Sequence, residues 1–135
     1  MTAHSRRRGR AATLRAMALL AIARALVAAV PFERWRGTLG LSKGASAKSE
    51  CKRLAAQIEW AAQRLPFSSK CLPRAMALSW LLRAKGISHE VVFAVRPAGQ
   101  RTAEEALHAW VEIDGQILIG ELPGPWLETL RLGKR

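Results

Sequence analysis

The dipeptide Asp114-Gly115, which lies between two apolar runs, constrains the fold of this chain more than any other feature. Asp-Gly is a strong signal for a two-residue hairpin loop, because the turns that match the twist of paired strands need positive φ angles. With such a loop, Val111 pairs with Leu118 and His108 pairs with Glu121. Opposed side chains share a face of the sheet, with Cβ atoms about 4.5 to 5.5 Å apart. The hairpin therefore predicts that Glu121 contacts the imidazole of His108, although a β-bulge would shift this partner by one residue.

Cys71 is predicted to begin a buried helix. Pro73 then lies in the first turn, where the missing N–H costs nothing, and Gly86 after Lys85 is a natural C-terminal stop. The unpaired amides and the positive dipole end at a helix N-terminus favour an anion. A thiol at this position is therefore driven toward the thiolate, and the same amides can stabilise a substrate oxyanion.

Cys71, His108 and Glu121 together form a candidate catalytic triad. A thiolate nucleophile needs a nearby imidazole as base, and the imidazole needs a partner that orients it. Taken alone, a cysteine at a helix start is more often structural, and a histidine on a strand is often only a hydrogen-bonded polar group. The order of the residues and the hairpin geometry favour the catalytic interpretation. His89, at the start of a strand predicted over 89–96, is the competing base, but no acid can be placed across from it, and it is predicted to lie at the solvent edge.

Cys51 is predicted to be structural, because it falls on the apolar stripe of a helix predicted over 47–64. Two cysteines do not make a disulfide framework, so we expect two reduced thiols in a cytoplasmic protein. No further Cys or His lies at metal-ligand spacing, and we expect neither a metal site nor a cofactor. Gln57 and Gln63 are conceivable oxyanion donors, but their spacing supports neither.

The chain is strongly basic, with 22 Lys and Arg against 10 Asp and Glu, a formal net charge of +12. Such a charge favours anionic partners. The basic residues are scattered and no nucleic-acid-binding signature accompanies them, so a solvated surface or an acidic peptide partner is favoured over nucleic acid.

The N-terminal third combines a basic start with an apolar stretch over residues 14–30, as a signal peptide or membrane anchor would. Arg15 and Arg24 interrupt this stretch, which makes spanning a bilayer costly. We therefore predict a disordered basic tail over 1–12, an amphipathic helix and connecting loop over 13–46, and a catalytic domain over 47–135. The helix is expected to pack on the catalytic domain or on a partner. Peripheral membrane contact through it remains an alternative.

The element order predicts an α+β fold, in which N-terminal helices precede a small antiparallel sheet of at least three strands packed on the Cys71 helix. In this frame, four motifs resemble the transglutaminase-like leader peptidases of lasso-peptide biosynthesis. The motifs are CLPRA at 71–75, LLRAKGI at 81–87, VRP at 95–97 and HAWVEIDG at 108–115. The resemblance covers roughly residues 50–122.

The resemblance implies a transglutaminase/papain-like cysteine protease that removes the leader from a ribosomally made precursor peptide. It carries the nucleophile over to Cys71 and the base to His108, while the acid at Glu121 matches less closely because Gly120 precedes it. It also implies a separate leader-binding protein and an ATP-dependent lasso cyclase as partners. Two alternatives remain: a transglutaminase-type acyl transferase that uses the same triad, and a non-catalytic scaffold of a peptide-maturation complex.

Overall fold

The computed structural model describes residues 3–42, 44, 48–66, 71–97, 107–119 and 125–133. Within these residues the chain forms helices first and then one antiparallel sheet, which confirms the predicted α+β class. The elements are α1 (Ala3–Ala29), α2 (Phe32–Trp35), a 3-10 turn (Arg36–Thr38), α3 (Lys48–Arg64), α4 (Cys71–Ala84), β1 (Glu90–Val95), β2 (Leu107–Ile113), β3 (Gln116–Ile119) and β4 (Leu127–Leu132).

Helix α4 is the centre of the molecule. It packs on α1 and α3 on one side and on strands β1 and β2 on the other, so nearly every side chain from Ala75 to Leu82 is buried. Its C-terminus follows the prediction: Gly86 has a φ of 68°, and the N–H of Ile87 donates to the carbonyl of Leu82 at 2.9 Å. This is the glycine-dependent stop that satisfies the last carbonyls of a helix.

The two long helices beside α4 bury one stripe each. Helix α3 begins within a residue of the predicted position and buries Cys51, Leu54 and Ile58 completely. Among its described side chains, helix α1 fully buries a narrow stripe of alanine and leucine residues against α3 and α4. It also begins at Ala3, so the disordered tail predicted over 1–12 is helical from that residue onward. The absence of any helix breaker except Gly9 explains why the helix continues through the basic segment.

The sheet has the strand order β3-β2-β1-β4. Strand β1 pairs with β2 along all of its length, with Ala94 opposite His108 and Glu90 opposite Glu112. Alternate side chains of both strands, such as Val91 and Val111, enter the core shared with the helices. The other face carries a separate small cluster of Val92, Ala94 and Trp110, against which Ile117 and Trp126 pack. The sheet is therefore apolar on both faces near its centre.

The hairpin turn is confirmed, but its predicted register is wrong beyond Glu112. Asp114 and Gly115 have φ angles of 50° and 79°, as a two-residue turn with both positions left-handed requires. The register then shifts by one residue, because a bulge brings Val111 opposite Ile119 instead of Leu118. A bulge inserts one residue into one strand, so every pairing counted through it moves by one.

Strand β4 was not predicted. It pairs with β1 along the sheet edge, with a second irregularity between Phe93 and Ala94. Its Arg131 forms ion pairs with Glu90, Glu112 at 2.6 Å and Glu128. One guanidinium thereby joins β4 to both central strands through charge-assisted hydrogen bonds.

Candidate active site

Cys71 and His108 meet at one end of the sheet. Cys71 is the first residue of α4 and His108 is the second residue of β2, and the two elements pack directly on each other. The thiol and the imidazole share a hydrogen bond. The N–H of Ala109, the residue after His108 on β2, donates to the sulfur of Cys71. Within the described residues, the pairing of β2 with β3 runs from Ile113 back to Val111 and does not include Ala109. The start of α4 therefore contacts a part of β2 that is not paired with described residues of β3.

The surroundings of Cys71 favour its thiolate. Burial of the half-buried side chain raises the pKa of the thiol, but other interactions outweigh it. The hydrogen bond from His108 lowers this pKa, as do the N–H of Ala109, the charge of the imidazole and the N–H of Leu72 in the first helical turn. The net pKa of Cys71 lies below the ordinary value of a thiol. This is the electrostatic environment that activates a cysteine as a nucleophile.

His108 is held between aromatic rings. Its imidazole stacks on the indole of Trp126, with ring centroids 5.0 Å apart and planes inclined by 25°. Trp110 lies on the same face of β2, two residues along the strand, and its ring centroid is 5.8 Å from that of His108. Arg96 covers Trp126, with its guanidinium carbon 3.9 Å from the ring centroid. These contacts leave His108 only 3% exposed, so its ring can rotate little.

The predicted third member, Glu121, lies outside the described residues, and its contact with His108 stays a prediction. The register from which that contact was counted does not hold past the bulge at Val111.

The two glutamines considered as oxyanion donors differ in burial. Gln63 is exposed, whereas the amide oxygen of Gln57 is buried with no hydrogen-bond partner among the described residues.

The competing base, His89, is not at the solvent edge as predicted, because it is only 2% exposed. Its Nδ1 lies 2.8 Å from the carbonyl oxygen of Ile87, which can only accept, so Nδ1 carries the proton. Its Nε2 then accepts from the hydroxyl of Ser79 at 2.6 Å, and that hydroxyl accepts from the N–H of Gly40 at 2.9 Å. Burial lowers the pKa of His89 and the positive charge of Arg83 lowers it further, against the opposing effect of Ile87. The imidazole is a neutral structural group.

Cys51 is fully buried in the helical core, as predicted, and among the described residues neither Cys51 nor Cys71 forms a disulfide. The sequence interpretation missed two residues near the two histidines. Trp126 carried no signal, because it precedes a strand that was not predicted. Ser79 sits among apolar residues of α4, and a lone polar residue within a buried helix was a signal that could have pointed to a hydrogen-bond partner.

A cavity of about 480 Å³ lies at the opposite end of the sheet from Cys71. It is lined by polar groups that include Ser42, His89, Glu112 and Arg131. Glu112 and Arg131 are already paired with each other, and His89 is neutral and doubly hydrogen-bonded. Glu112, Arg131 and His89 are therefore already engaged with partners inside the fold, whereas the pKa of the Cys71 thiol beside His108 is lowered.

Comparison with known families agrees with this geometry. The sequence model of the Transglutaminase-like superfamily matches residues 16–129, which is most of the chain. No curated protein and no solved structure matches significantly. The matched range begins inside α1 and runs into β4, so it includes both Cys71 and His108. The superfamily includes cysteine peptidases. The chain belongs to the Transglutaminase-like superfamily.

Proposed function

We propose that the chain is a cysteine peptidase that removes the leader from a lasso-peptide precursor. The observation that carries the proposal is the hydrogen bond between Cys71, at the start of α4, and the buried imidazole of His108. The superfamily match and the four motifs that resemble lasso leader peptidases support it. A lowered thiol pKa beside an imidazole is the arrangement that thiol-dependent hydrolysis needs.

The reaction proceeds through a thioester. The Cys71 thiolate attacks the carbonyl carbon at the junction of leader and core, and the amides of the first turn of α4 stabilise the oxyanion. The C–N bond then breaks, and the His108 imidazolium gives its proton to the departing amine. His108 next takes a proton from water, and the resulting hydroxide attacks the thioester and releases the carboxylate of the leader. The thiolate is regenerated as the C–S bond breaks.

The proposed setting is cytoplasmic, where the thiol of Cys71 stays reduced. The substrate is the precursor peptide, presented by a separate leader-binding protein, and a lasso cyclase closes the ring after cleavage. A companion that tethers the leader raises the local substrate concentration without adding catalytic groups. The basic surface of the chain, at +12, suits an acidic peptide or companion.

Glu121 is the proposed group that orients His108. Glu121→Gln keeps an acceptor but removes the charge, and we expect precursor cleavage to slow by about tenfold or more. Asp114→Asn is the matched control, since asparagine tolerates the left-handed backbone that Asp114 adopts at a φ of 50°. A silent Glu121→Gln variant would show that another group orients the imidazole.

The deciding experiment compares Cys71→Ala with Cys51→Ala in cleavage of the precursor, read by mass spectrometry with the leader-binding protein present. Loss of cleavage in a folded Cys71→Ala variant is expected, while Cys51→Ala keeps most of the rate, because Cys51 is fully buried. Cleavage that survives in Cys71→Ala would overturn the proposal. A product whose mass shows an added amine in place of water would identify an acyl transferase instead. Unchanged assembly with the companion and no cleavage by wild type would identify a scaffold.

A further inference from the structure

Helix α1 has two apolar sides, and only one of them is covered. The side that faces α3 and α4 includes Ala16, Leu20 and Ala23, each 0% exposed, and partly buried apolar neighbours pack beside them. The opposite side carries Leu14, Ala18, Ile22, Ala25 and Ala29, all exposed and spaced three or four residues apart. Leu14 is 66% exposed and Ile22 is 50% exposed. We call these five residues the outer face of α1; their spacing places them along one line of the helix.

The charge around the outer face has one sign. Residues 1–32 contain six arginines and no Asp or Glu, which accounts for half of the formal net charge of +12. Within the helix, Arg15 lies on one side of the outer face, and Arg10 and Arg24 lie on the other side. Arginine side chains at such flanking positions can reach outward to phosphate groups while their stems cover apolar surface. The surface therefore combines an apolar strip with cationic borders.

We propose that the outer face of α1 docks the protein on an anionic lipid surface, with the helix lying in the plane of the interface. Exposed apolar side chains enter the acyl boundary and the flanking arginines pair with lipid phosphates. A second copy fits this face poorly, because two such helices would bring six arginines against six others with no acid between them. The docking is independent of the proposed peptidase activity, since it uses neither Cys71 nor His108.

The helix lies on the membrane and does not cross it. The segment Gly9–Ala29 is long and apolar enough to span a bilayer by length and composition, and 17% of its most apolar window is buried in the fold. Crossing would pull Ala16, Leu20 and Ala23 out of the core that they share with α3 and α4. It would also place Arg15 and Arg24 in hydrocarbon. The superfamily match begins at residue 16, so the helix is part of the domain.

The test is sedimentation of the full chain with vesicles of phosphatidylcholine containing phosphatidylglycerol, and with vesicles of phosphatidylcholine alone. We expect binding to the anionic vesicles to be stronger by about tenfold or more, and to fall steeply as salt rises from about 0.05 to about 0.5 M. The double variant Leu14→Ser/Ile22→Ser should bind the anionic vesicles about tenfold more weakly with unchanged thermal unfolding, because both side chains are exposed.

Further variants separate the apolar contribution to vesicle binding from the contribution of the arginine charges. Ala18→Glu, which adds a negative charge at an exposed position of the outer face, should also weaken binding, and Arg10→Gln/Arg15→Gln should lose the preference for anionic lipid. The matched control is Leu127→Ser, an equally apolar residue that is 53% exposed on the edge strand β4, and it should bind as wild type does. Full binding by folded Leu14→Ser/Ile22→Ser overturns the proposal. So does a chain that ignores vesicles, whether it is monomeric or forms a dimer through α1.

Discussion

Helix α4 carries two nucleophile-type residues, Cys71 and Ser79, each beside a histidine from another segment, and the two pairs differ in burial, hydrogen bonding and pKa. Cys71 pairs with His108 at the first residue of the helix, and Ser79 pairs with His89 two turns later. Ser79 is fully buried, its hydroxyl donates to His89 and accepts from Gly40, and both nitrogens of His89 are used. Cys71 is half-buried and receives hydrogen bonds that favour its anion.

The comparison shows that residue type and proximity do not make a reactive pair. In the Ser79 pair the hydroxyl proton and both ring nitrogens of His89 are used inside the fold, and the hydroxyl is fully buried, so the pair stabilises the native state and presents no nucleophile to a substrate. In the Cys71 pair the interactions lower the pKa of the thiol, and the helix N-terminus supplies amides for a developing oxyanion. We therefore expect the first pair to affect activity and the second to affect stability.

The largest expected effect separates the two histidines. His108→Ala should slow precursor cleavage by about 10³-fold, which is the scale of a lost general acid and base. Its free energy of unfolding should change less than that of His89→Ala. His89→Ala should lower the free energy of unfolding by about 2 to 4 kcal/mol, yet leave kcat/KM per folded molecule within about threefold. Steady-state cleavage and denaturant unfolding of both variants give the answer. A folded but inactive His89→Ala beside an active His108→Ala would reverse the assignment.

The rate at which Cys71 is alkylated tests directly whether His108 lowers the pKa of its thiol. Because the hydrogen bond from His108 lowers the pKa of Cys71, removal of the imidazole should raise this pKa toward the ordinary range of a thiol. At pH 7 the rate of iodoacetamide labelling at Cys71 should then fall by about tenfold in His108→Ala, while Cys51 stays unlabelled in both proteins. Peptide mapping by mass spectrometry distinguishes the two cysteines. Equal pH profiles of labelling with and without His108 would contradict the lowered pKa.

Trp126 is expected to position the imidazole. Its stack on His108 restricts ring rotation, so Trp126→Ala should lower kcat by about twofold to tenfold and change the pH profile of cleavage, while Trp126→Phe recovers most of the rate. Trp60→Ala is the control, because Trp60 is 54% exposed on α3 and its ring contacts Arg64 instead. A purely structural role for Trp126 would lower stability but leave kcat and its pH profile as in wild type.

The smallest effect concerns Ser79. Ser79→Ala leaves Nε2 of His89 and the N–H of Gly40 without their partner, so the free energy of unfolding should fall by about 1 to 3 kcal/mol with cleavage unchanged. Ser88→Ala is the control, since Ser88 is half-buried and its hydroxyl donates to the carbonyl of Leu41 at 3.1 Å. Its cost should stay below about 0.5 kcal/mol. Urea unfolding compares the two variants. Equal losses in the free energy of unfolding would contradict a structural role for the Ser79–His89 pair.

Local patterns predicted the elements of the site well. Pro73 and Gly86 marked the two ends of α4, and Asp114-Gly115 marked the turn between β2 and β3. Each of these signals acts through the backbone of a few adjacent residues, so no distant contact can override it easily. The burial of Cys51 followed in the same way from the apolar stripe of α3.

The sequence predictions that were wrong or missing share a different cause. The bulge at Val111, the burial of His89 and the edge strand β4 all depend on contacts between segments far apart in the chain. A hairpin register counted from its turn assumes an unbroken ladder, and one extra residue shifts every later pair. Likewise His89 could be placed in the core only once Gly40 and Ser79 were known to surround it.

The α+β order, the helix that begins at Cys71 and the turn between β2 and β3 could all be predicted from the amino-acid sequence, because they follow from local backbone preference and apolar periodicity. Long-range packing was needed to show that His89 is buried on Ser79, that Trp126 stacks on His108, and that α1 is covered on one side. Those outcomes depend on how elements pack across long stretches of chain, where hydrogen-bond satisfaction and close packing select among arrangements that local patterns leave equal.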